Sequence, residues 1–114
     1  MKKVVFFGFT GELMCFAHAL FNARQMQDEG WEVKIVLEGQ STSLISKLSS
    51  DKNPFKNIYL DLKEKSLISV CRACANKMGT LSAAEAEKLE IDATLMGHPS
   101  MFSYLDSGWE IITI

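Results

Sequence analysis

The stretch "KKVVFFGF" at residues 2–9 is apolar from Val4 to Phe7, with no alternation of hydrophobic and polar side chains. A strand with one wet face alternates, so this run predicts a parallel strand covered on both faces and closed by Gly8. From about Gly11 to Glu29 the period changes. Leu13, Phe16, Ala17, Leu20 and Ala23 recur at helical spacing, while Glu12, His18, Asn22, Gln25 and Glu29 form one polar stripe on the other side. Gly30 stops this helix, and "WEVKIVLEG" is a second strand that again ends in glycine.

Further along, "SLISKLSS" puts Leu44, Ile45 and Leu48 on one face of a short helix. Asn53-Pro54 predicts an N-cap followed by proline at the first helical position, with Phe55, Ile58, Tyr59 and Leu62 as the buried face. The alternation of Ile58, Leu60 and Leu62 also permits a strand there. "SLISVC" predicts a third strand that runs straight into "RACANKMG". Ser82 to Glu85 has capping-box spacing and starts another short helix. "IDATLMG" holds a short fourth strand, "HPSMFSYLDSG" a helix begun at Pro99 and stopped by Gly108, and "WEIITI" a last strand.

This alternation predicts one α/β domain over residues 1–114, with a mostly parallel sheet, the first strand central and helices on both faces. In such sheets ligands bind outside the carboxyl ends of the strands, near a topological switch point. The residues that follow each strand are therefore where chemistry is to be sought.

Composition narrows the class. At 114 residues the chain can bury one real core and not two. Its 47% hydrophobic and 23% charged residues are ordinary globular usage, which argues against disorder. A formal charge of −2 gives no electrostatic reason to expect nucleic acid or an anionic membrane as partner. Lys2 and Lys3 before an apolar run, with Ala17-His18-Ala19 after it, imitate an export signal. Glu12, Gly8 and Gly11 break that run, so the segment reads as structure and the protein as cytoplasmic. Three cysteines, an odd number, then point to thiols used for chemistry or packing in a reducing compartment. Two Trp, seven Phe and six Met are many large apolar groups for so small a domain, which predicts a homo-oligomer.

The strongest chemical candidate is Cys71, predicted to end the third strand and begin a helix. Free N–H groups at the helix start, with Arg72 beside them, are expected to lower the thiol pKa and make a nucleophile or persulfide carrier; the alternative is a buried packing cysteine. Cys74 completes a Cys-x-x-Cys spacing. "CRAC" lacks the aromatic-Gly-Pro surroundings of a thioredoxin-like pair, and no second ligand pair of zinc-site spacing exists, so no metal is expected. His98 follows Gly97 beyond the fourth strand; if strands three and four are neighbours it faces Cys71, to hold a thiolate or shuttle a proton. Cys15 and His18 fall on the exposed side of the first helix. The loop "GFTGE" has no Walker lysine and no full dinucleotide pattern, yet Gly8 and Thr10 are candidates for cradling an anion at a helix start.

"VVFFGF", "SVCRACANKMG" and "GHPSMFSYLDSGWEIITI", in this order and spacing, resemble the DsrE/DsrF-like small sulfur-relay family, which includes TusD-type carriers. The resemblance spans almost the whole chain. It implies a flavodoxin-like five-stranded sheet of order 2-1-3-4-5, assembly into dimers, trimers or hexamers, and a cysteine that carries sulfur as a persulfide. Cys71 stands at the matching strand end; Cys74 does not correspond to the TusD-type nucleophile. The expected activity is that of a sulfur carrier or sulfurtransferase subunit without metal or organic cofactor. Arg72 and Gly97 would line its substrate site, and donor and acceptor proteins would be its partners. Two other readings stand beside it: a thiol–disulfide redox protein using Cys71 and Cys74, and a small-ligand-binding or assembly module without catalysis.

Overall fold

The computed structural model describes residues 2–114. Five parallel strands, β1 (Lys3–Gly8), β2 (Glu32–Leu37), β3 (Ile68–Cys71), β4 (Glu90–Asp92) and β5 (Glu110–Thr113), form one sheet. Six helices connect them: α1 (Leu13–Asp28), α2 (Ile45–Leu48), α3 (Lys56–Glu64), α4 (Arg72–Lys77), α5 (Leu81–Ala86) and α6 (Met101–Asp106), with a 3-10 turn over Gly39–Leu44. The α/β class expected from the alternation is observed, and the sheet is of the flavodoxin-like kind that the family resemblance implies.

The strand order is β4-β3-β2-β1-β5, in place of 2-1-3-4-5. β1 is interior, as its apolar run requires, but β2 is the middle strand. The burial of the strands explains the order. β2 carries Val33, Ile35, Val36 and Leu37 fully buried, which suits a strand flanked on both sides. β4, "EID", is only partly covered, and β5 is mostly exposed. Those two take the edges, where incomplete burial costs least.

Alternate residues of each strand face two cores of unequal size. Val4 and Phe6 of β1, with Val33, Ile35 and Leu37 of β2 and Ile68 and Val70 of β3, pack against α1, α2, α3, α4 and α5. Phe16, Ala19, Leu20 and Ala23 are the contribution of α1, and the small residues among them let the helix lie close to the sheet. On the other face α6 alone covers Val5, Phe7 and Val36, through Met101 and Tyr104 together with Trp109 and Ile111. Phe7, Tyr104 and Trp109 meet edge to face there, with centroids 5.7 and 5.6 Å apart.

Several helix starts differ from expectation. Residues 56–64 are helical, with no strand, but α3 begins two residues after Pro54, because Asn53 turns the chain instead of capping it. The Asn53 side chain accepts from Phe55 N–H and donates to Leu48 C=O. Ser82 lies inside α5 and caps nothing; the residue before the helix is Thr80, whose hydroxyl is used to bind Thr42 C=O across the fold. α6 starts after Ser100, which accepts from Ser103 N–H, not at Pro99. Among the described residues no helix is long and apolar enough to cross a membrane.

Candidate functional site

Three chain segments meet at the carboxyl edge of the sheet. β3 delivers Cys71, which as N-cap of α4 accepts a hydrogen bond from Cys74 N–H at 3.4 Å. β2 delivers Glu38, whose N–H is held by Gly8 C=O of the neighbouring strand at 2.9 Å. The segment after β4 delivers His98. A tight bridge in which Leu95 N–H and His98 C=O pair, and His98 N–H returns to Leu95 C=O, fixes its backbone. Gly97 in that turn has φ +90 and accepts from Ala73 N–H of α4, which locks the turn onto the start of the helix.

The side chains converge. His98 Nδ1 lies 3.1 Å from Cys71 Sγ, 3.8 Å from Cys74 Sγ and 3.8 Å from Glu38 Oε1. Cys71 is wholly buried, Cys74 partly so, Glu38 has a side chain only 10% exposed, and His98 is 45% exposed. The cluster is thus a buried floor of thiol and carboxyl beneath an accessible imidazole.

Electrostatics here run against the expected lowering of the Cys71 pKa. Burial pushes the Cys71 thiol up to about 12; the Cys74 N–H pulls the other way, and the Cys74 thiol and the Glu38 charge add to the rise. One N–H from a two-turn helix does not offset the lost hydration of a thiolate. Burial likewise raises the Glu38 carboxyl, against the opposing pull of Cys71 and His98. Arg72 is exposed and has no ion pair or hydrogen bond with the cluster among the described residues.

Of the residues singled out in the sequence, Cys71, Cys74, His98 and Gly97 are brought together; Gly8, Thr10 and Arg72 are not part of the cluster. Gly8 is buried, and a Cβ there would stand 2.7 Å from the Phe16 ring. Thr10 forms a local turn by accepting from Glu12 N–H at 3.2 Å. Cys15 is exposed, as expected, and donates to the Glu12 carboxylate at 2.9 Å. Glu38 is the residue that sequence reasoning missed. Its signal was available: an acid directly after the apolar strand "KIVL" and before Gly39, at the edge where parallel sheets place their sites.

Fold and site together define a small parallel α/β protein with two thiols, an imidazole and a carboxyl gathered at the strand ends. The chain is 34% identical over 97 residues to the uncharacterized protein MJ0733 of Methanocaldococcus jannaschii, a match that covers 85% of the chain and 78% of that protein, and it belongs to the same family. An uncharacterized protein of Archaeoglobus fulgidus is 37% identical over 41 residues, 36% of this chain and 67% of its own. No family model matches the chain. Among solved structures, the conserved protein of unknown function BT1422 from Bacteroides thetaiotaomicron superposes with a TM-score of 0.72 over 99% of this chain and 95% of its own, at 19% identity, which is a likeness of fold.

Proposed function

We propose that the cluster is a sulfur-handling thiol site, in which Cys71 holds a sulfane sulfur as a persulfide and hands it to an acceptor thiol. The observation that carries this reading is the 3.1 Å contact between Cys71 Sγ and His98 Nδ1. An imidazole at that distance takes the thiol proton as the sulfur attacks, which matters most for a thiol that burial keeps protonated. The thiolate attacks the outer sulfur of a persulfide or polysulfide donor. A Cys71 S–S bond forms, the donor's S–S bond breaks, and the donor leaves as a thiolate that collects the proton. Transfer to an acceptor thiolate is the same exchange in reverse, so no oxidant or reductant is consumed. The resemblance to DsrE/DsrF-like proteins points the same way, as does the reducing, cytoplasmic setting inferred for a chain whose three cysteines are all unpaired.

A second reading, reversible disulfide formation, is favoured by one observation: the Cys71 and Cys74 sulfurs lie within 4.8 Å of each other. Mass spectrometry of metal-free protein after exposure to a polysulfide separates the two. Gain of one sulfur atom on Cys71, lost in Cys71→Ser and retained in Cys74→Ser, is expected. Loss of two hydrogens without gain of sulfur would establish the disulfide reading instead, and an unchanged mass would overturn both.

Self-association is the other part of the proposal. Met96, 93% exposed, and Phe102, 73% exposed, stand with Leu95 around a depression whose rim includes Glu38 and His98. A second copy of the chain seated there would cover these side chains and close the site from solvent.

A further inference from the structure

We propose that Glu38, Cys71, Cys74 and His98 form a four-coordinate site for a borderline divalent transition metal, of which Zn2+ is the best match. This inference stands on the geometry of the cluster and not on the sulfur reading. One ligand atom from each of the four residues, two sulfurs, one ring nitrogen and one carboxylate oxygen, lies within 4.8 Å of every other. A tetrahedral centre with bonds of about 2.0–2.3 Å spaces its ligand atoms about 3.3–3.8 Å apart. The three distances from His98 Nδ1, 3.1 Å to Cys71, 3.8 Å to Cys74 and 3.8 Å to Glu38, lie around that spacing. Side-chain adjustments that draw the four atoms in from within 4.8 Å to that spacing would seat a metal.

The scaffold is also of the right kind. Two ligand segments are anchored to neighbouring elements by main-chain hydrogen bonds, Glu38 N–H to Gly8 C=O of β1 and the His98 turn to α4 through Ala73 N–H and Gly97 C=O. Cys71 and Cys74 stand at the junction of β3 and α4, where Cys74 N–H donates to Cys71 Sγ. The charge argument agrees. Glu38 is a buried carboxyl whose one ion-pair partner among the described residues is His98, and a divalent cation would supply the counter-charge that burial otherwise leaves missing. Two sulfurs exclude the hard cations Mg2+ and Ca2+, and the mixed sulfur, nitrogen and oxygen set suits Zn2+.

Binding replaces two S–H bonds by two metal–sulfur bonds. The thiol protons, and the Glu38 proton where it is held, pass to solvent, so affinity rises with pH. Since both sulfurs are then occupied, metal-bound protein cannot take up sulfane sulfur: the metal form is a protected state of the same thiols.

The test titrates metal-free protein with Co2+ and Zn2+ salts alone. One Co2+ per chain is expected, with a sulfur-to-cobalt charge-transfer band and the intense visible bands of tetrahedral cobalt. Zn2+ should displace the cobalt and shield Cys71 and Cys74 from iodoacetamide while the exposed Cys15 labels at its usual rate. His98→Ala and Cys74→Ser, at positions that are not fully buried, keep the test independent of folding. Each should weaken Zn2+ in a chelator competition by more than the roughly 10–100-fold that loss of an outer-shell partner costs. Glu38→Gln should weaken it in the same sense and change the cobalt visible bands. Absence of a charge-transfer band, equal labelling of all three cysteines with and without Zn2+, or affinity unchanged in His98→Ala would each overturn the proposal. Because the sulfur experiment uses metal-free protein, its failure leaves this result intact, and the reverse holds too.

Discussion

Replacing Gly8 by alanine asks whether this glycine serves a ligand or the core. Its φ is not in the left-handed region, so alanine meets no backbone strain and gains about 0.4–1 kcal/mol by restricting the unfolded chain. The cost is steric. The added Cβ would stand 2.7 Å from Phe16 Cε1 and 3.0 Å from Cδ1, where carbon atoms prefer about 3.5–4.0 Å. Phe16 is wholly buried among the residues of the larger core, and overpacking of that kind costs about 1–3 kcal/mol. The net loss is then about 1–2 kcal/mol, seen as a fall in urea midpoint at constant m and in Tm of roughly 3–8 °C. Phe16→Leu supplies the control. Alone it opens a cavity and destabilises; combined with Gly8→Ala it vacates the space the new methyl needs, so the pair should be more stable than the sum of the two losses by about 1 kcal/mol. Stability of Gly8→Ala within about 0.5 kcal/mol of the parent, or strict additivity with Phe16→Leu, would refute the packing explanation. Gly8 C=O also accepts from Glu38 N–H at 2.9 Å and from Ser41 Oγ at 2.6 Å. A shift of this strand end should therefore reach the thiol cluster as well.

The Glu12 carboxylate, hydrogen-bonded to Cys15, raises that thiol's pKa. At pH 7–8 iodoacetamide should therefore label Cys15 faster in Glu12→Gln, and the gap should close as pH rises far enough to ionise the thiol in both proteins; slower labelling of the variant would contradict the assigned hydrogen bond. For self-association, light scattering at high micromolar concentration should find an oligomer that Phe102→Glu dissociates, since burying the new charge against a second copy costs several kcal/mol. A parent protein that stays monomeric rules the interface out.

The legible parts of this fold were those set by local pattern. The unbroken apolar run of β1, the helical spacing of Phe16, Ala17, Leu20 and Ala23, and a cysteine at the junction of strand and helix each follow from neighbours in the chain, and all three stand in the structure. The helix starts were less legible because side chains that cap in one context do other work in another. Thr80 binds Thr42 C=O and Asn53 binds Leu48 C=O, contacts between residues that no local pattern pairs. The lowered pKa expected at Cys71 failed for a related reason. Helix position is local, whereas the burial that raises this thiol comes from the whole fold.

Strand order is what separates the expected site from the observed one. In a 2-1-3-4-5 sheet, β1 would lie beside β3, and the loop after it, with Gly8 and Thr10, would flank Cys71. That sheet would make a glycine-lined anion cradle next to a nucleophile. In the observed order β2 takes that place, Leu37 pairing with Val70, and the residue that reaches Cys71 is Glu38. One exchange of neighbours thus turns a neutral loop into a buried carboxyl, and changes the chemistry from anion binding to a site that attracts cations and protons. The evidence for the order was in the strands themselves. "VKIVL" has too many apolar side chains for an edge, and "EID" too few for the interior. Ranking strands by how many faces and edges they can afford to bury, before placing them by analogy, would have put Glu38 beside the thiols from the sequence alone.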